Sequence, residues 1–90
     1  MQEDQIKKAV ALMYDRKRDD APRIVASGHG GIAEQILSLA REANIPMHSD
    51  KALVDTLLKF EINTEIPPEL YKAVAEVLAL IYSFDKSRQP

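Results

Sequence analysis

Arg23-Ile24-Val25-Ala26-Ser27-Gly28-His29-Gly30-Gly31-Ile32 is the stretch that decides how this chain folds. Its first half has β-branched residues at the centre, which suit a pleated strand with covered faces. The glycines then interrupt the strand. From Ile32 the apolar residues recur as Ile32, Ile36, Leu39, Ala40 and Ala43, the offsets of a single helix face. The segment reads as strand Arg23 to Ser27, glycine turn, then helix, and the rest of the chain is organised around it.

Upstream, Lys8-Ala9-Val10-Ala11-Leu12-Met13-Tyr14 alternates in size. Val10, Leu12 and Tyr14 share one side, with Ala9, Ala11 and Met13 on the other, as in a strand at least partly covered on both faces. Ala, Leu and Met also suit a helix, but the run is short and a charged loop follows, which favours the strand. The mixed-sign run Asp15-Arg16-Lys17-Arg18-Asp19-Asp20 reads as a solvated connector, and Ala21-Pro22 leads into the next strand. Downstream, Asn44 suits a left-handed helix end, with Ile45 making the accompanying apolar contact. Ile45-Pro46-Met47-His48 is expected to form a short third strand. Ser49 or Asp50 caps a helix whose stripe is Leu53, Val54, Leu57 and Leu58. Glu61 to Ile66 is a connector, and Pro67-Pro68-Glu69 opens a last helix with the stripe Leu70, Val74, Val77, Leu78 and Ile81. The expected fold is α/β of the α+β kind: a small mixed sheet packed with helices, in the order β-β-α-β-α-α. The expected division is a polar tail over 1–7, a single domain over 8–84 and a polar tail over 85–90.

Composition narrows the chemistry. The chain has 90 residues, 46% apolar and 29% charged, enough for one modest core. No apolar run approaches the ~18 residues of a membrane span. There are no cysteines, which excludes disulfide frameworks, thiolate metal sites and thiol nucleophiles. A net charge of −2 argues against nucleic acid as a partner.

Each candidate site has a plainer reading. Gly28-His29-Gly30-Gly31 between a strand and a helix offers backbone N–H groups to a phosphate. However, Ile32-Ala33 stand where a P-loop needs Lys and Ser/Thr, so a bare turn is the better reading and a phosphate or nucleotide site the alternative. His29 and His48 have no third ligand at a metal-binding spacing. Ser27 and Ser49 read as helix-flanking residues rather than nucleophiles, and Asp15, Asp19 and Asp20 with Arg16, Lys17 and Arg18 as a salt-bridged loop. No catalytic residue, cofactor or metal is expected. One feature exceeds what one buried face requires: Tyr71, Ala75 and Tyr82 widen the apolar arc of the last helix, for which core packing is the plainer reading and a partner-binding surface the alternative.

Taken in order, several segments resemble one known family. They are Ala9-Val10-Ala11-Leu12-x-Tyr14-Asp15; Ala21-Pro22-x-x-Val25-Ala26-x-Gly28-x-Gly30; Ile36 through Ala40-x-Glu42; Ile45-Pro46; Leu53, Leu57, Glu61-Ile62 and Ile66-Pro67; and Leu70-Tyr71-x-Ala73-Val74-Ala75-Glu76-Val77-Leu78-Ala79. The chain resembles the cytoplasmic C-terminal domain of the FlhB family of flagellar type III export proteins. The resemblance implies a non-enzymatic, cytoplasmic role in protein export. In the family this fragment helps switch the exporter between substrate classes and docks export substrates. Matched residue by residue, the family's apolar docking patch falls on Ala21, Pro22, Ala75 and Leu78, all four residue types being kept.

The departures are equally specific. Family members carry a membrane domain and an Asn-Pro-Thr-His self-cleavage motif before this region. The corresponding positions here are Asp4, Gln5, Ile6 and Lys7, and no Asn-Pro pair occurs in the sequence. Self-cleavage is not expected, since Asp4 lacks the amide nitrogen that the reaction uses. The expectation is a free-standing counterpart of the processed fragment. Its expected partners are rod- or hook-type export substrates and other gate components, with membrane contact only through them. The strand that precedes the motif in the family is also missing, so the Lys8 to Tyr14 strand is expected to expose an edge that a second copy or a partner strand can use.

Overall fold

The computed structural model describes residues 7–15 and 17–87. Strand β1, Lys8–Met13, pairs antiparallel with β2, Arg23–His29. The register runs from Lys8 opposite His29 to Ala11 opposite Ala26, then resumes with Leu12 opposite Ile24. Val25 is the unmatched residue of that shift, a β-bulge that bends the ribbon. Three α-helices follow: α1, Gly30–Glu42; α2, Lys51–Leu57; and α3, Tyr71–Ser87, the last entered through a 3-10 turn at Pro68–Leu70. This is an α+β fold. Helix α3 runs past the expected domain end at residue 84.

The local signals act as their chemistry requires. Asn44 adopts φ 58°. The Ile45 N–H donates to the Ala40 carbonyl at 2.9 Å and the Asn44 N–H to Arg41 at 3.2 Å, the paired bonds of a Schellman cap. Asp50, rather than Ser49, caps α2 by accepting from the Leu53 N–H at 3.1 Å.

The third strand expected at Ile45 to His48 does not form; residues 45–50 have no regular structure. The outer edge of β2 goes to the segment expected to be only a connector. The Ile24 N–H donates to Thr64 at 2.9 Å, Ile24 accepts from the Asn63 N–H at 2.6 Å, and Pro22 accepts from the Ile66 N–H at 2.9 Å. Asn63 takes φ 76° to make the turn into this pairing. Pro46 offers no N–H to a ladder, whereas residues 63, 64 and 66 supply two donors and an acceptor at the spacing of the β2 edge.

The main core gathers Ala21, Ile24, Leu57, Ile66 and Val74, with Val10, Leu12, Leu53, Phe60, Leu70 and Leu78 packed around them. Ile24 is 0% exposed and lies at its centre. Ala9 and Ala33 are buried apart from this cluster, where α1 lies against the ribbon. The expected α1 stripe is rotated. Ala33 is fully buried and Ile36, Leu37 and Ala40 are half-buried, while Ile32 is 57% and Leu39 64% exposed. The cause is steric. The helix starts immediately after β2, so a small side chain must face the sheet, and the larger Ile32 is displaced outward.

Gly28 belongs to the same close fit. A Cβ there would lie 2.4 Å from Ile32 Cγ2 and 2.8 Å from its Cβ. Gly28→Ala is expected to cost about 1–2 kcal/mol through overpacking. Chemical denaturation checks it, and adding Ile32→Ala should return part of the loss because it removes the opposing methyl groups.

Candidate functional site

The residues singled out from the sequence occupy different depths. Ala21 and Pro22 are buried, Leu78 is half-buried and Ala75 is exposed. Ala21 belongs to the main core cluster and Leu78 packs against it, so the turn and the last helix meet in one apolar body. Ala75 stands one position after the buried Val74, and Tyr71, one helical turn earlier, is exposed beside it. The accessible surface is therefore Tyr71, Ala75 and the outer part of Leu78, with Ala21-Pro22 shaping the body beneath. The Tyr82 side chain lies outside the described residues, as do Asp4, Gln5 and Ile6.

The turn carrying Ala21-Pro22 is held by an ion pair that the sequence reading placed in solvent. Asp19 is only 6% exposed, and its carboxylate accepts from the Arg23 guanidinium at 2.6 Å. Arg23 also donates to the Asn63 carbonyl at 2.7 Å and approaches Glu65 at 4.0 Å. It thus ties the loop before β2 to the segment on its outer edge. The hydrogen bond and charge of Asp19 hold the Arg23 guanidinium even more firmly protonated than usual. The signal in the sequence was the i, i+4 spacing of Asp19 and Arg23 across Ala21-Pro22, hidden among the neighbouring charges of the loop.

A second ion-pair group ties α2 to β1. Asp55 accepts from Lys8 at 2.9 Å and from Lys51 at 3.2 Å. These bonds, that from Lys8 foremost, hold the Asp55 carboxyl below the usual carboxylate range. A depressed folded-state pKa adds stability above the unfolded value, about pH 4, and that stability fades as pH falls through the lower folded value. Asp55→Asn is expected to flatten the acid side of the stability profile by a small amount, since the group is partly exposed, leaving the profile above about pH 5 parallel to wild type. Thermal melts at stepped pH check this.

The glycine loop is spent on folding. The Gly30 N–H donates to the Lys7 carbonyl at 2.8 Å, and the space at Gly28 is filled by Ile32. Gly30 has φ 57°, the left-handed region that glycine enters without strain. Nothing in this geometry supports the phosphate or nucleotide alternative. His29 and His48 sit exposed on separate segments, and among the described residues no group of three or more His, Cys, Asp or Glu could hold a metal ion. No helix among the described residues is long and apolar enough to cross a membrane. A shallow groove the sequence reading missed lies between Pro46, Met47 and His48 and the α3 residues Leu80 and Ile81.

This α+β ribbon with its helices matches the C-terminal domains of type III export proteins. It superposes on the cytoplasmic domain of FlhB from Shewanella putrefaciens with TM-score 0.80 and 38% identity, over 83% of this chain and 63% of that one. The PscU C-terminal domain gives TM-score 0.77 at 27% identity, over 82% of this chain and 95% of that one. Residues 6–81 match the family model described as the FlhB HrpN YscU SpaS family, and the chain belongs to that family. Uncharacterized protein YlqH of Bacillus subtilis strain 168 is 42% identical over 91% of this chain and 88% of its own length. The flagellar biosynthetic protein FlhB of Escherichia coli K12 is 40% identical over 89% of this chain, which spans only 21% of that protein.

Proposed function

We propose that this chain is a non-enzymatic docking component of the flagellar type III export apparatus, acting in the cytoplasm on rod- or hook-type export substrates and other gate components. Its family membership and its similarity to FlhB proteins support the choice of pathway. The observation that carries the docking reading is the exposed row Tyr71 and Ala75 on α3, continuous through Leu78 with the cluster that contains Ala21. Polar Lys72 and Glu76 flank this row, giving a small apolar centre with a charged rim, as in weak and reversible interfaces. Ala21 and Pro22 support the surface by fixing the turn rather than by direct exposure.

Ala75→Glu provides the test. The site is exposed and helical, so the fold should persist, while a carboxylate at the centre of an apolar contact is left unpaired. Titration of the chain with rod or hook export-signal peptides is expected to show saturable binding, weakened about tenfold or more by Ala75→Glu. Equal binding by the two proteins would remove this surface from the reading; no binding by either would remove the docking role.

A further inference from the structure

We infer that β1 is a self-pairing edge and that two copies of this chain associate through it as an antiparallel, two-fold dimer. The inference rests on backbone direction and side-chain register, independently of the docking surface on α3. Ile24 points its N–H and carbonyl away from β1 toward residues 63 and 64, so its opposite number, Leu12, also turns both groups away from β2. Lys7, which accepts from Gly30, faces β2. By alternation Lys8, Val10 and Leu12 present their N–H and carbonyl groups to the outer edge, and among the described residues no backbone group bonds them there. The edge has no proline, and it ends in exposed Met13, at 52%, and Tyr14, at 46%. These are the features that leave a strand free to pair.

The sequence of the strand selects a second copy and one register. With the two-fold axis at Ala11, Val10 faces the copy's Leu12, Ala9 faces Met13, Lys8 faces Tyr14 and Lys7 faces Asp15. Opposite charges then meet at both ends, the half-buried Val10 and Leu12 continue the apolar face across the axis, and a Lys stem lies along each tyrosine ring. Moving the axis to Leu12 sets Ala9 against Asp15, and moving it to Val10 sets Lys7 against Met13; either shift loses the charge pairs. Lys7 now makes only a 3.8 Å exposed contact with Glu34, which is readily exchanged.

Sedimentation equilibrium on the full chain, taken into the millimolar range, tests this. Wild type is expected to approach twice the chain mass. Lys7→Glu alone and Asp15→Lys alone should each weaken association about tenfold by facing like charges across the axis. An equimolar mixture of the two variants should recover it, because each strand end then meets its opposite. Far-UV circular dichroism confirms that each variant is folded. A wild type that stays monomeric overturns the inference. So does a dimer that neither variant weakens, or one that the mixture fails to restore.

Discussion

Ile24→Ala is expected to lower the melting temperature by roughly 15–25 °C, the largest effect of any single truncation in this chain. Ile24 has no exposed surface, and its side chain touches the cluster formed by Ala21, Leu57, Ile66 and Val74. Its backbone also carries both hydrogen bonds that bring residues 63 and 64 to the sheet. Truncation removes buried methyl groups and leaves a cavity walled by a strand, two helices and a loop, which cannot all collapse inward together. Such deletions cost about 2–5 kcal/mol, against a total stability of about 5–13 kcal/mol for a domain of this length. Val25→Ala is the control. Val25 is the half-buried bulge residue next door, and it should cost less than about 1.5 kcal/mol. Urea denaturation of both variants decides the matter, and similar losses would show that the core is not centred on Ile24.

Asp19→Ala is expected to lower the melting temperature by about 10 °C, which is large for a residue in a charged loop. The carboxylate is buried against Arg23, and removing it takes away the shortest partner of a guanidinium that also serves Asn63 and Glu65. Those remaining partners keep Arg23 from being orphaned, which holds the loss below that of Ile24→Ala. Asp15, Asp20 and Glu61, less buried in the same region, should tolerate alanine with little change in stability. A local readout separates this from general destabilisation. The Ile66 N–H, bonded to the Pro22 carbonyl, should exchange with solvent faster in Asp19→Ala than amides within α2. A melting temperature within a degree or two of wild type would return Asp19 to the role of a solvated charge.

Part of the candidate site was legible before any coordinates. Ala75 was visible because the helical period places it outside the core stripe, whereas Leu78 lies within that stripe and was singled out only by the family resemblance. The depth of Ala21 and Pro22 was not visible, because it depends on Ile66 bonding to Pro22 and on Arg23 spanning from Asp19 to Asn63. Ile66 and Asn63 lie some forty residues away along the chain, and the one nearby signal, the i, i+4 spacing of Asp19 and Arg23, is hidden among the other charges of the loop.

The same division holds for the fold. The sequence by itself determined the two strands, the three helices, the Asn44 helix end and the family, and narrowed the α2 cap to Ser49 or Asp50, because each depends on alternation, a helical period, a cap or ordered local matches within a few residues. Tertiary structure alone decided that residues 63–66, not 45–48, take the outer edge of β2; that Ala33 rather than Ile32 faces the ribbon; and that Asp19 is buried. Each of these is a competition between distant segments for one edge or one cavity. Its outcome depends on donors, volumes and charges that meet only when the chain has closed on itself.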